Sequence, residues 1–78
     1  MDVRETFGSN LKYYRLKASI TQGALAAKMG VDRAHVSAME RGQQNVTIIT
    51  LWHAALALGV KPAALLEDDD RAERDATG

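Results

Sequence analysis

The sequence predicts an all-α fold, a bundle of five short helices, and three observations carry that expectation. Apolar residues recur at spacings of three and four, N-capping residues and glycines bracket the periodic stretches, and no segment alternates with the period of a strand. The first helix runs from about Val3 to Lys17, with Phe7, Leu11 and Tyr14 on one face. Gly8 inside it reads as a minor blemish. Helix two, about Gln22–Met29, opens after Thr21, whose hydroxyl can accept from a free backbone N–H of the first turn. Ala24, Leu25, Ala26, Lys28 and Met29 favour helix, and Leu25 and Met29 lie four apart on one side.

Gly30 stands where a left-handed residue must end that helix, and Val31 plugs the corner after it. Asp32 is placed to cap a third helix, about Arg33–Arg41, with Val36 and Met39 inward and Arg33, Ala34, Ser37 and Ala38 outward. Two helices with so short a link must cross steeply, which is helix-turn-helix geometry and presents the second helix to a DNA groove. A polar loop, residues 42–46, leads to Thr47 as the cap of helix four, about Ile48–Leu58, which ends at Gly59. Pro62 suits the first turn of a fifth helix, about Pro62–Leu66. The reading is thus one domain over residues 1–67, followed by an acidic, solvated and disordered tail over residues 68–78.

Residues 7–66 resemble the DNA-binding domain of the phage repressor and Cro family, also called the XRE family. The resemblance rests on Leu11 and Arg15, Thr21-Gln22, small Ala26, Gly30, Val36-Ser37, Glu40-Arg41-Gly42, and Ala55 with Ala57-Leu58-Gly59-Val60. It implies a five-helix lambda-repressor-like bundle. It also implies that Arg15, near the end of helix one, pairs with Glu40, near the end of helix three, as a structural ion pair rather than a catalytic acid.

Composition narrows the function classes. With 78 residues and no Cys, neither a disulfide framework nor a thiolate metal site is available. No apolar run is long enough to span a bilayer and the start of the chain has no signal-peptide core, so the expected compartment is the cytoplasm, at the nucleoid. The net charge of zero conceals a division. Residues 1–66 carry eight cationic against four acidic side chains, a formal +4, while residues 67–78 carry two against six, a formal −4. A body of +4 predicts weak nonspecific DNA binding with a shallow salt dependence.

The N-terminal turn of the third helix supplies the candidate base readers: Arg33, Ala34, His35, Ser37 and Ala38. Arg33 is the strongest, because its planar fork can donate to O6 and N7 of guanine; its plainer alternatives are a phosphate contact or pairing with Asp32. Ala34 offers at most a surface for a thymine methyl. His35 either donates to a base or phosphate or lies on the rim, and Ser37 suits a phosphate or a local cap better than a base. One strong polar reader and two alanines make little direct code, leaving much of the specificity to DNA shape. Candidate phosphate contacts are Gln22, Arg41, Gln43, Gln44, Asn45 and Thr47, which surround the starts of helices two and four. Gly23 departs from the family pattern, which carries a polar or acidic helix former there.

Helix four is apolar on too many sides for a monomer. Ile48, Leu51, Ala55 and Leu58 are assigned to the core, leaving Ile49, Trp52 and Leu56 as a second stripe facing outward. A Trp between Ile and Leu suits an interface anchor, and the alternative is a Trp52 folded over helix five or the loop. These readings converge on a homodimeric regulator, a repressor or activator of transcription, on a roughly palindromic operator of double-stranded DNA, with RNA polymerase as a potential further contact. The Asp32-Arg33 start of helix three and the Asn45-Val46-Thr47 approach to helix four also look similar to controller proteins of restriction–modification systems. The competing class is an antitoxin-like protein-interaction module using the outer face of helix four. No catalytic constellation, cofactor, metal site, membrane partner or small-molecule ligand is expected: His35 and His53 lie on different helices without a matched carboxylate pair.

Overall fold

The computed structural model describes residues 2–68, and all secondary structure among them is helical. Four α-helices follow one another: α1 Val3–Lys17, α2 Gln22–Met29, α3 Arg33–Glu40 and α4 Ile48–Leu58. The fifth element, Pro62–Leu66, is a 3-10 turn and not the α-helix expected. Its register is visible in Ala64 N–H, which donates to the Lys61 carbonyl at 2.9 Å. The cause lies across the bundle. Asn10, wholly buried on α1, donates its amide to the Leu65 carbonyl at 2.9 Å and to the Glu67 carbonyl at 2.9 Å. The Leu65 carbonyl, which a continued α-helix would need, is thereby already satisfied, and Glu67 is extended. The tail expected from residue 68 onward lies, apart from Asp68, outside the described residues.

Each helix boundary has a local cause. Asp2 caps α1, accepting from Arg4 N–H at 2.9 Å. Thr21 caps α2 by accepting from Ala24 N–H at 3.0 Å, and Thr47 caps α4 by accepting from Thr50 N–H at 3.0 Å. Asp32 holds the N-cap position of α3 in extended geometry, but its side chain makes no capping bond, so that part of the expectation is corrected. At the end of α2 Gly30 takes φ 74°, a left-handed conformation that a Cβ would strain. Val31 N–H then reaches back to the Ala26 carbonyl at 3.0 Å, which satisfies an orphan acceptor and turns the chain towards α3.

The core is one cluster: Phe7 and Leu11 from α1, Leu25, Ala26 and Met29 from α2, Val36 and Met39 from α3, Ala54 and Ala55 from α4, and Leu65. Tyr14, Val31, Leu51 and Leu58 pack against it from its edges. Two assignments change. Ile48, expected in the core, is 81% exposed, and Ala54 occupies the interior instead. Ile48 is the first residue of α4 and lies at the rim of an open hollow it shares with Val3, Phe7 and Leu66, so its helical phase is right while the hollow leaves it uncovered. Gly8 is likewise no blemish. A Cβ built there would lie 2.3 Å from the Met39 carbonyl oxygen and 3.0 Å from that of Glu40, so the missing side chain is what lets α3 sit down on α1.

Candidate nucleic-acid interface

The clamp that sets the angle of α3 comes first in the construction of this site. Gly8, Leu11 and Arg15 recur at spacings of three and four and so share one face of α1. From that face Arg15 Nε donates to Glu40 Oε2 at 2.6 Å and Nη2 donates to Glu40 Oε1 at 3.1 Å. The third donor, Nη1, goes to the Ile20 carbonyl at 3.0 Å and ties the α1–α2 turn into the same cluster. Both side chains are almost wholly buried, and every described buried side-chain polar atom has a partner. A bidentate, desolvated guanidinium–carboxylate pair is rigid, and removing either partner would strand a charge.

Gln22 joins the clamp. Its Nε2 donates to Glu40 Oε1 at 3.1 Å, so the side chain expected at a phosphate is turned inward to the base of α3. Its position at the first residue of α2 still places the backbone N–H groups of that helix end at the surface rim. The arrangement therefore links three helices through one carboxylate. Sequence reasoning missed this third member because a glutamine at a helix start has several equivalent uses, and only the position of Glu40 selects among them.

On the outer side of α3 the side chains divide by exposure. Arg33 and Ala34 are exposed, while His35, Ser37 and Ala38 are half-buried along the same helix. Arg33 makes no ion pair with any described residue, Asp32 included, so its fork is open to an external acceptor. Arg41, the C-cap of α3, is engaged within the protein. Its Nε donates to Gln43 Oε1 at 3.1 Å and its Nη1 donates to Ser37 Oγ. That bridge stiffens the turn after α3 and turns Ser37 towards the helix end. Gln44 is half-buried, and Asn45 and Thr47 are exposed on the loop that leads to α4. The Thr47 hydroxyl is committed to its cap, accepting from Thr50 N–H and donating to Thr50 Oγ1 at 3.1 Å.

Helix α4 turns a second surface outward. Ile49, Trp52 and Leu56 are all more than half exposed. Val3 on α1, Ile48 and Leu66 are exposed large apolar residues as well. No group of three or more His, Cys, Asp or Glu side chains able to hold a metal occurs among the described residues. Nor is any described helix long and apolar enough to cross a membrane.

With this geometry established, comparison with known proteins decides the family. A helix-turn-helix family model matches residues 11–65. The chain belongs to the helix-turn-helix family. It is a DNA-binding transcriptional regulator of the XRE type, resembling the controller proteins of restriction–modification systems. An uncharacterized HTH-type transcriptional regulator, y4dJ of Sinorhizobium fredii, is 39% identical over 70 residues, covering 90% of this chain and 91% of the relative. Among solved structures, the restriction–modification controller protein C.AhdI from Aeromonas hydrophila superposes with a TM-score of 0.77 at 35% identity, covering 80% of this chain and 94% of that one. The controller protein C.Esp1396I, solved as a tetramer in complex with its natural 35 base-pair operator, superposes with a TM-score of 0.75 at 29% identity over 83% of this chain and 86% of that one. These relatives are transcriptional regulators and controller proteins.

Proposed function

We propose that this regulator acts as a homodimer, pairing through Ile49, Trp52 and Leu56 and placing two copies of α3 in successive major grooves of a roughly palindromic operator. The observation that carries the reading is the contrast on α3: Arg33 is exposed and unpaired among the described residues, on a helix whose inner end is locked by the Arg15–Glu40 clamp. A rigid helix with one free guanidinium at its N-terminal turn suits bidentate donation to guanine. Ala34 and Ala38 then lie against the groove wall, with His35 beside them. Two such helices related by a two-fold would stand about one turn of DNA apart, roughly 34 Å.

Phosphate contacts are assigned to the starts of α2 and α4, where free backbone N–H groups meet the positive ends of the helix dipoles. Gln44 and Asn45 are the side chains best free to assist. Gln22, Arg41, Gln43 and Thr47 act mainly by shaping the surface, since each already holds a partner within the protein. The regulator works on the chromosome in the cytoplasm, where occupation of the operator either excludes RNA polymerase or touches it. The association of a related controller protein with its operator as a tetramer supports assembly of more than one copy on DNA.

A gel shift with the gene's own upstream DNA tests the reading. Wild-type protein should retard a discrete band, and Arg33→Ala should lose about 1–3 kcal/mol of discrimination between that site and a scrambled competitor. Absence of a retarded band at micromolar protein would count against the proposal, as would an Arg33→Ala variant with unchanged discrimination.

A further inference from the structure

Beside α4 the surface is hollowed. Val3 and Phe7 of α1, Val46 on the approach to α4, Ile48 and Leu51 on α4 itself, and Leu66 line an open apolar pocket of about 210 Å³. Its one charged lining residue, Arg4, is held by Asp2 at 3.0 Å. The pocket is continuous with the outer stripe, because Ile48 lies one helical turn before Trp52, with Ile49 and Leu56 at spacings of three and four from it. We infer that this pocket receives Trp52 from a second copy of the chain, so that each protomer of the dimer contributes one indole and one cup.

Three features select that occupant, resting on the homodimer reading above. First, a symmetric dimer must fill its holes with knobs from the same patch, since both partners use one surface. Of the exposed side chains that do not line the pocket, Trp52 is the largest, and an aromatic ring seated in an apolar pocket is the usual anchor of an interface. Second, Trp52 and Ile48 sit one turn apart on one helix. A two-fold axis passing between them carries each indole onto the partner's Ile48 and the mouth of its pocket. Third, the patch is of sufficient size. Val3, Ile48, Ile49, Trp52, Leu56 and Leu66 each expose 43–81% of their surface. Together they present on the order of 600 Å² of apolar area, near the roughly 800 Å² that each partner of a standard interface buries.

The test uses sedimentation velocity together with the emission of Trp52, the chain's single tryptophan. Wild-type emission should move to shorter wavelength as the concentration passes the dimer dissociation constant. Val3→Asp places a charge in the cup at the first residue of α1, where an acidic residue suits the helix dipole and should leave folding intact. It should weaken dimerisation at least tenfold and abolish the emission shift over the same concentrations. Leu66→Asn at the opposite wall should act in the same direction, with unchanged helicity by circular dichroism in both variants. If both variants dimerise and shift as the wild type does, the cup holds no indole and the inference is overturned while the dimer stands. A wild-type protein that remains monomeric at high micromolar concentration overturns the dimer and this seat with it. A cup filled by a different protein, seen as wild-type monomer that binds such a partner through Val3, has the same consequence.

Discussion

Two glycines within helices should respond to alanine in opposite directions, and the sign of each follows from what surrounds it. Replacing a helical glycine by alanine ordinarily stabilises by about 0.5–1 kcal/mol, because the unfolded chain has less freedom to lose. At Gly23 the nearest atom to a new Cβ is Thr21 Oγ1 at 3.8 Å, ordinary contact, so Gly23→Ala should gain up to that amount. At Gly8 the new Cβ falls 2.3 Å from a backbone carbonyl, where 3.0 Å is the practical floor. Helix α3 must therefore withdraw by at least about 0.7 Å, the difference between those two distances. A radial gap of that size forfeits roughly a quarter to a half of each van der Waals well along the contact. Overpacking of this kind costs about 1–3 kcal/mol, and the upper half applies because the obstacle is backbone and cannot rotate away. After the propensity gain, Gly8→Ala should lose about 1–2.5 kcal/mol. Thermal melts would read this as a fall of about 4–20 °C for Gly8→Ala, with a rise of up to about 8 °C for Gly23→Ala. A Gly8→Ala protein that melts at or above the wild type would refute the claim that close approach of α3 to α1 requires a bare Cα.

Three further outcomes follow from the polar contacts. Glu40→Gln leaves the Arg15 guanidinium buried without its counter-charge and should cost about 3 kcal/mol in denaturant unfolding, while a value under about 0.5 kcal/mol would mean that the pair is effectively solvated. Asn10→Ala frees the Leu65 and Glu67 carbonyls and should cost about 1–3 kcal/mol, with hydrogen exchange accelerated first around the 3-10 turn; uniform exchange would argue that Asn10 serves the whole core instead. The Arg4 side chain and N–H bonded to Asp2 hold its carboxyl below the ordinary value, so the stability it adds is present above the unfolded pKa and is lost as pH falls through the folded one. Asp2→Asn should accordingly be less stable than wild type at neutral pH, with the difference vanishing under strongly acidic conditions; a deficit that persists in acid would assign the effect to packing.

The family resemblance reached the right partners at the clamp, since Arg15 and Glu40 meet in a bidentate pair, but the glutamine that joins them was not legible. Asn10 left a signal that could have been used. It falls three residues after Phe7, on the core face of α1, and a polar residue at an apolar phase needs a buried partner. Its partners lie 55 and 57 residues away, however, and no local pattern identifies them.

Local chemistry alone determined the four α-helices and the turn between α2 and α3. Periodicity, a threonine hydroxyl at a helix start and a left-handed glycine at a helix end act over a few residues, and their physics is complete within that span. Tertiary structure decided whatever depends on what lies opposite. It left Ile48 uncovered at the correct helical phase, made Gly8 necessary through a carbonyl of another helix, and stopped the last element as a 3-10 turn by lending its carbonyl an asparagine from α1. Burial and hydrogen-bond satisfaction are properties of pairs, and the second member of each pair is chosen only when the chain closes on itself.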